Sequence, residues 1–496
     1  MKRFLWLGFV LFLYLICSGC GDTFRPIIIP NPPTFPNPAA AHTAVAITYN
    51  ANSDGAAVSG SAMVVDVSGD ADVSVTDVGL VPVHAVQQSA NGVLVVNQAT
   101  TGLNVPTTSC QVSVPPTPPN QVFNVCSSLT RLNFSGTVIS STSEISLPIY
   151  SGASFVAVAP NDTTAYVTMP TYPPDPTVPQ NIVPSVGVVS TLTSNLVATI
   201  PVGNDPVALA VTPDHSKLYV ANEGDSTVSG FNTLDRSPRV GSPASSSSPP
   251  IELIPRTDNQ RVYVLEKNST LAWLDTTSTA GPDAFTETAI SVPTAVKMVY
   301  DSNANRLYIA GESVIGGVLQ SAVVIADVSQ SAPSLIAAVP IGVVQPSSRG
   351  AQDPCSVTAA MPLNNVDAAV LPDGSRAYIG SYYEDVADNI CPQVTVIDAK
   401  SNTRKSTISI PGFPAYDGFC SPTLSPNPPR FRIMMAAAGD STRAYFSSCD
   451  GGNVNIIDTS TDTYLLNLVA PTSSRPPIPP SQENPPQNPV FMFAGP

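Results

Sequence analysis

The chain carries few side chains suited to chemistry, and cysteines lead them. Of eight cysteines, Cys17 and Cys20 stand close to the N-terminus. The other six are Cys110, Cys126, Cys355, Cys391, Cys420 and Cys449. In an exported chain an even set of this kind points to disulfides. Metal ligation is the alternative, and it lacks a CxxC or Cys–His spacing to support it. The three histidines, His42, His84 and His215, fall in different segments, which disfavours a multi-histidine copper site or a His-based triad. "DSNANRLYIAGE" (301–312) has oxygen ligands at positions an EF-hand would use, but Arg306 occupies the sixth, where the turn needs Gly. Glu223, Glu266, Glu312 and Glu384, with Arg256, Arg349 and Arg430, could supply the base and cation of a hydrolase. Spacing alone brings no such set together. No catalytic, metal or cofactor residue is therefore assigned, and no cofactor is expected.

Composition sets the frame for these residues. Apolar residues make up 43% of the 496, enough for a large core. Charged residues reach only 11% while prolines number 52, so irregular connections must be many. A net charge of −15 leaves no basic stripe to neutralise phosphates, which argues against a nucleic-acid partner.

The N-terminus reads as a targeting segment. Lys2 and Arg3 precede "FLWLGFVLFLYLI" (4–16), an apolar run short for a bilayer span. Ser18 and Gly19 before Cys20 resemble the processing box of bacterial lipoproteins, although Cys17 stands where an aliphatic residue is usual. The resemblance implies a signal peptide over 1–19 and lipidation of Cys20. Gly21 in place of a retention aspartate favours the outer membrane. Six prolines between Pro26 and Pro38 make 20–42 a polyproline-like tether. Residues 471–496 form a second Pro-rich segment, expected to be disordered, in which "VFMF" could dock.

Between these ends one phrase recurs. "AVQQSANGVLVVNQ" (85–98), "AVAPNDTTAYVTM" (157–169), "AVTPDHSKLYVAN" (210–222) and "LIPRTDNQRVYVLE" (253–266) share a pattern with "MVYDSNANRLYIAG" (298–311), "AVLPDGSRAYIGS" (369–381) and "MAAAGDSTRAYFSS" (435–448). Each is an apolar strand, a turn of Asp, Asn, Gly and Ser, and a second strand rich in β-branched and aromatic residues. A further hairpin follows, as in "STVSGFNT" (226–233) and "QVTVIDAK" (393–400). Four strands per unit with no helical periodicity predict an all-β β-propeller over 43–470, built of four-stranded antiparallel blades. Seven blades are expected. Eight remain open, because 59–83 matches half a unit while the last blade already owns four strands. Tyr166, Tyr219, Tyr263, Tyr308, Tyr378 and Tyr445 recur at one position, where packing between blades is their role.

"LYVANEGDSTVSGFNT" (218–233), preceded by "VATIPVGNDPVALAVTPD" (197–214), closely resembles the YVTN-repeat β-propellers of bacterial envelopes. The likeness covers most of 43–471 and is looser in the first and last blades. Lactonase-like propellers share these phrases, so the resemblance implies the fold more firmly than an activity.

In such a blade the first–second and third–fourth turns lie on one face, and the remaining loops lie on the other. Nearly all long insertions fall in the second set: 99–127, 170–184, 310–321 and 382–392 between second and third strands, and 241–250, 343–365 and 412–430 between blades. All six internal cysteines map there. Repeat geometry pairs Cys355 with Cys391, Cys420 with Cys449, and Cys110 with Cys126. "SYYEDVADN" (381–389) and "FPAYDGF" (413–419) place Tyr382, Tyr383, Glu384, Asp385, Tyr416, Asp417 and Phe419 on the same face as candidate contact residues. The expected protein is an exported, lipid-anchored, monomeric propeller of the bacterial envelope. It binds or scaffolds an envelope protein or a saccharide through its long-loop face. The alternative is a lactonase-like hydrolase with a site at the mouth of the central channel.

Overall fold

The computed structural model describes residues 43–51, 57–89, 92–99, 126–135, 138–149, 151–170, 183–267, 270–344, 354–356, 361–387, 389–414, 433–449, 451–469 and 488–494. The expected signal peptide, the Cys20 lipidation site and the 20–42 tether lie outside them.

The fold is all-β: eight four-stranded antiparallel blades in a ring, a β-propeller. The count is eight, not the seven favoured from sequence. Seven blades begin at the seven hairpins read from the sequence. The additional one takes its innermost strand, Asn488–Ala494, from the far end of the chain. This strand pairs with Thr43–Ala51, which pairs with Ala57–Asp66 and then with Ala71–Ser89. A hairpin reading is local, and these partners are more than four hundred residues apart, so no turn announces them. Residues 488–494 thus contribute a strand from within the Pro-rich segment expected to be disordered. Ala71–Ser89 is shared: it ends this first blade and begins the second, whose other strands are Gly92–Ala99, Cys126–Ser135 and Val138–Ile149.

Each remaining blade reads along the chain from the channel outward. The third to eighth begin at Val156–Val158, Pro206–Val211, Pro250–Pro255, Lys297–Asp301, Asn364–Val370 and Ile433–Ala437. Second strands are covered by neighbouring blades on both faces, which is why Lys217–Asn222 and Arg261–Glu266 are buried at every residue. The outermost strand Asn195–Pro201 alternates instead, because one of its faces meets water. The fourth blade draws its short outer strand, Ala244–Ser245, from the expected loop 241–250.

The six recurrent tyrosines are buried between blades, as expected. Two residues before most of them stands a cation with a common task. Each reaches the third–fourth turn of the following blade. Lys217 Nζ donates to Thr276 O and Asp283 Oδ1, Arg261 to Gln330 O, and Arg306 to Ala399 O. At the closing seam Arg443 donates two 2.7 Å bonds to the Asp70 carboxylate of the first blade. Tyr219 and Tyr378 hydroxyls donate to Asp283 and Asp462 in the same turns. The ring is therefore stapled seam by seam with charge-assisted bonds.

Candidate functional sites

Two regions could serve function: the long-loop face and the central channel. On the face, two of the expected loops are hairpins. Arg306–Ile315 pairs with Val318–Asp327 through Val314↔Leu319 and Ile315↔Val318, closing on Gly316 and Gly317. Both glycines have positive φ (62° and 83°), which a side chain would resist. Likewise Arg376–Glu384 pairs with Asn389–Asp398 out to Glu384↔Ile390, and Phe413–Pro414 adds to that edge. Segments 310–321 and 382–392 are thus strand extensions that carry the sheet beyond the blade. At their tips Val314, Val318, Leu319 and Val386 are 62%, 61%, 51% and 73% exposed.

The second hairpin is pinned at its tip. Cys355 and Cys391 form the expected disulfide. Cys449 is also disulfide-bonded. The side chains of Cys110, Cys126 and Cys420, and so the other two expected pairings, lie outside the described residues. Asp385 accepts N–H bonds from Ser356, Ala387 and Asn389. Burial works to raise its carboxyl, but these donors outweigh it and hold the group below its usual range. Cys355, Asp385 and Cys391 bring their ligand atoms within 4.8 Å of one another. The disulfide and the N–H donors already occupy those atoms, so the cluster is a fastening.

Of the candidate contact residues, Tyr383 is buried among Val339, Leu363 and the disulfide, and Asp385 is buried under the tip. Tyr382 is half-buried against the eighth-blade side of the sheet, and Glu384 alone is exposed. Tyr416, Asp417 and Phe419 lie outside the described residues. Those four described side chains therefore build the hairpin more than they face a partner. Among the described residues of the two tips, the exposed large side chains are aliphatic, with Glu384 beside them.

The channel holds a group that the sequence did not single out. Aligning innermost strands by the residue opposite each recurrent tyrosine puts Glu252, Lys297 and Asp367 at one register, two residues earlier, in three consecutive blades. Phe155, Ala208 and Met434 fall at that same level in other blades. The repeat lines begin at Ala210, Leu253, Met298 and Ala369, just past this position, so stacking them hides the charges. The available signal was a charge within each of these three first strands.

Lys297 Nζ meets Glu252 Oε1 at 2.5 Å, and Glu252 Oε2 accepts the Met298 N–H at 2.7 Å. Burial opposes the Lys297 charge, but Glu252 and Asp367 together hold its pKa above the ordinary value. Asp367 Oδ2 accepts the Met435 N–H at 2.6 Å, while Oδ1 is buried with no hydrogen-bond partner. Burial pushes this carboxyl up to about 6 against the pull of Lys297. From the second blade comes His84, stacked on Phe155 at 3.9 Å and tilted against Phe491 at 4.5 Å. Burial, then Lys297, push its imidazole down to about 3, so it is neutral. Its Nδ1 accepts the Val156 N–H, which leaves the proton on Nε2.

His215 is half-buried: its ring nitrogens lie 2.9 Å from Asn161 Nδ2 and 3.3 Å from the Tyr166 hydroxyl. Lys217, Arg239 and Tyr219 converge on Asp283 beside a crevice lined by Asp258, Asn259 and Thr277. Main-chain carbonyls take further donors of both cations, which makes the cluster an inter-blade clamp.

No protein-family model matches the chain, and no curated protein does. Solved structures do match. Dihydro-heme d1 dehydrogenase NirN is 9% identical over 94% of this chain and 79% of its own, with a TM-score of 0.52. Hydrazine synthase of Kuenenia stuttgartiensis is 16% identical over 77% and 96%, at 0.45. A functionally unknown protein of Desulfotomaculum acetoxidans is 12% identical over 86% and 95%, at 0.42. At 9% identity the likeness to NirN shows the fold alone.

Proposed function

We propose that the protein is a binding module of the YVTN-repeat type, held at the outer membrane of a bacterial envelope by a lipid on Cys20, and that it captures a protein partner with its long-loop face. The observation that carries this reading is the pair of hairpins in neighbouring blades whose tips expose Val314, Val318, Leu319 and Val386. A turn needs no valine. Apolar side chains raised into water on a braced support gain most when another surface covers them. The aliphatic tips favour a protein over a saccharide.

The test is crosslinking in the native envelope, comparing wild type with a variant carrying Asp at all four positions. A partner captured by wild type and lost in the variant supports the reading. A partner profile identical in both, or enrichment of glycan alone, overturns it. Fatty-acid labelling of wild type but not of Cys20→Ser would establish the anchor.

The hydrolase alternative draws support from one observation: Asp367, with its raised pKa, shares the channel with the Lys297 cation. It requires lactone turnover that disappears in Asp367→Asn.

A further inference from the structure

The sixth and seventh blades share a register that brings out one difference between them. Aligned on Tyr308 and Tyr378, their second strands match from Arg306 and Arg376 to Val314 and Glu384. Leu319, opposite Val314, therefore corresponds to Ile390, opposite Glu384. Just past the fourth strands, Ile341 and Ile410 donate their N–H to equivalent carbonyls, those of Ser321 and Pro392. From here the blades part. In the seventh, the chain returns to the sheet edge, where Phe413 pairs with Ile390 and Pro414 with Asn389. In the sixth, it leaves. Arg404 donates to the Ile341 carbonyl at 2.6 Å, Gly342 turns with a φ of 92°, and Val343–Val344 pairs with Met361–Pro362 instead.

The sixth blade is left with an open edge. Ile390, paired with Phe413, is 0% exposed, whereas Leu319 at the same place is 51% exposed. Main-chain groups along a strand alternate between its two sides. The Ser321 carbonyl points outward to Ile341, so the N–H and carbonyl of Leu319, two residues earlier, point outward as well. Among the described residues no strand or turn bonds them. Apart from water, what satisfies such an edge is another extended backbone. The seventh blade shows the occupant that this position accepts: a short antiparallel strand with a bulky apolar residue opposite.

We propose that the outer edge of residues 318–320 takes an extended segment of the protein partner. The segment runs antiparallel to this strand and sets a bulky apolar side chain opposite Leu319. Its residue at that place exchanges both main-chain bonds with Leu319, which fixes the register, while the paired side chains cover each other. This mode of capture rests on the reading that the long-loop face binds a protein, and it makes recognition depend on the partner's backbone as well as its apolar surface.

Leu319→Pro separates strand addition from plain apolar contact. The outward N–H is not used by the hairpin, so proline keeps the ladder and an apolar ring but removes the donor. In the envelope crosslinking, capture should fall about tenfold or more in Leu319→Pro as well as in the four-Asp variant. Capture lost with four Asp but kept with Leu319→Pro overturns strand addition and leaves the capture reading standing. A second measurement needs neither a native partner nor a folded variant. The wild-type full chain, isotope-labelled at leucine nitrogens, is titrated with the octapeptide KTVTFTVK and with the same peptide N-methylated at its phenylalanine. The Leu319 amide resonance is assigned by its loss in Leu319→Val. A saturable shift of that resonance, about tenfold or more weaker with the methylated peptide, is the expected result. No saturable shift, or equal binding of both peptides, overturns the proposal.

Discussion

Lys297 and His84 stand on blades four apart in the ring of eight, and, after burial, the ammonium of one helps to keep the imidazole of the other neutral. The acid response of the protein should carry this signature. A histidine depressed to about 3 on folding contributes stability that is complete above its unfolded pKa of 6.5 and is lost as pH falls from there towards 3. In His84→Gln, the slope of unfolding free energy against pH should flatten between 6.5 and 3, as read from urea titrations at stepped pH. An unchanged slope would show that His84 titrates normally.

Asp367 acts with the opposite sign. Its carboxyl is raised to about 6, so the stability linked to its bound proton is present below the ordinary carboxylate range, and it is lost as pH rises through 6. The shift of about two units corresponds to at most about 3 kcal/mol. Asp367→Asn should therefore gain on wild type as pH goes from 4 to 8. Lys297 lowers this carboxyl and Glu252 raises it, so the comparison is best repeated in Lys297→Met, where the gain should grow.

The inter-blade clamp makes a larger demand. Asp283→Asn leaves Lys217 and Arg239, 6% and 4% exposed, without their carboxylate. A loss of about 3–5 kcal/mol is expected by denaturant unfolding. A loss below about 1 kcal/mol would mean that the carbonyl acceptors suffice.

Much of this was legible in the sequence and some was not. Period-2 strands and Asp/Asn/Gly turns are local signals, so seven of the blades and the packing of Tyr219, Tyr263 and Tyr378 could be read directly. The Cys355–Cys391 pairing followed from repeat geometry. The Glu252–Lys297–Asp367 level needed the register of the first strands, which the hairpin phrases cut off. The first blade needed a pairing between distant segments that no turn residue marks. Tyr383 and Asp385 looked like surface chemistry because polar and aromatic residues were assumed to sit in a loop, whereas a sheet extension and a disulfide enclose them.

Closure by the Asn488–Ala494 strand gives another prediction. Met492 is 2% exposed in the core between the first and eighth blades, so Met492→Ala should cost about 2–5 kcal/mol. Deleting 488–494 should lower the thermal midpoint further and open the 43–51 edge to proteolysis. A deletion variant with the wild-type midpoint would disprove that this strand closes the ring.

Fastening a strand from residue 488 onward to one near residue 43 also sets an order of assembly. The other blades are each complete once their own stretch of chain has been made. The first must stand as three strands, with Val45 and Ile47 half-covered and one ladder open, until residue 494 arrives. An emerging chain is therefore sticky at its earliest-made end for nearly the whole of its synthesis. Holding chaperones would find their grip there, and a chain cut short would keep that edge bare as a mark for degradation.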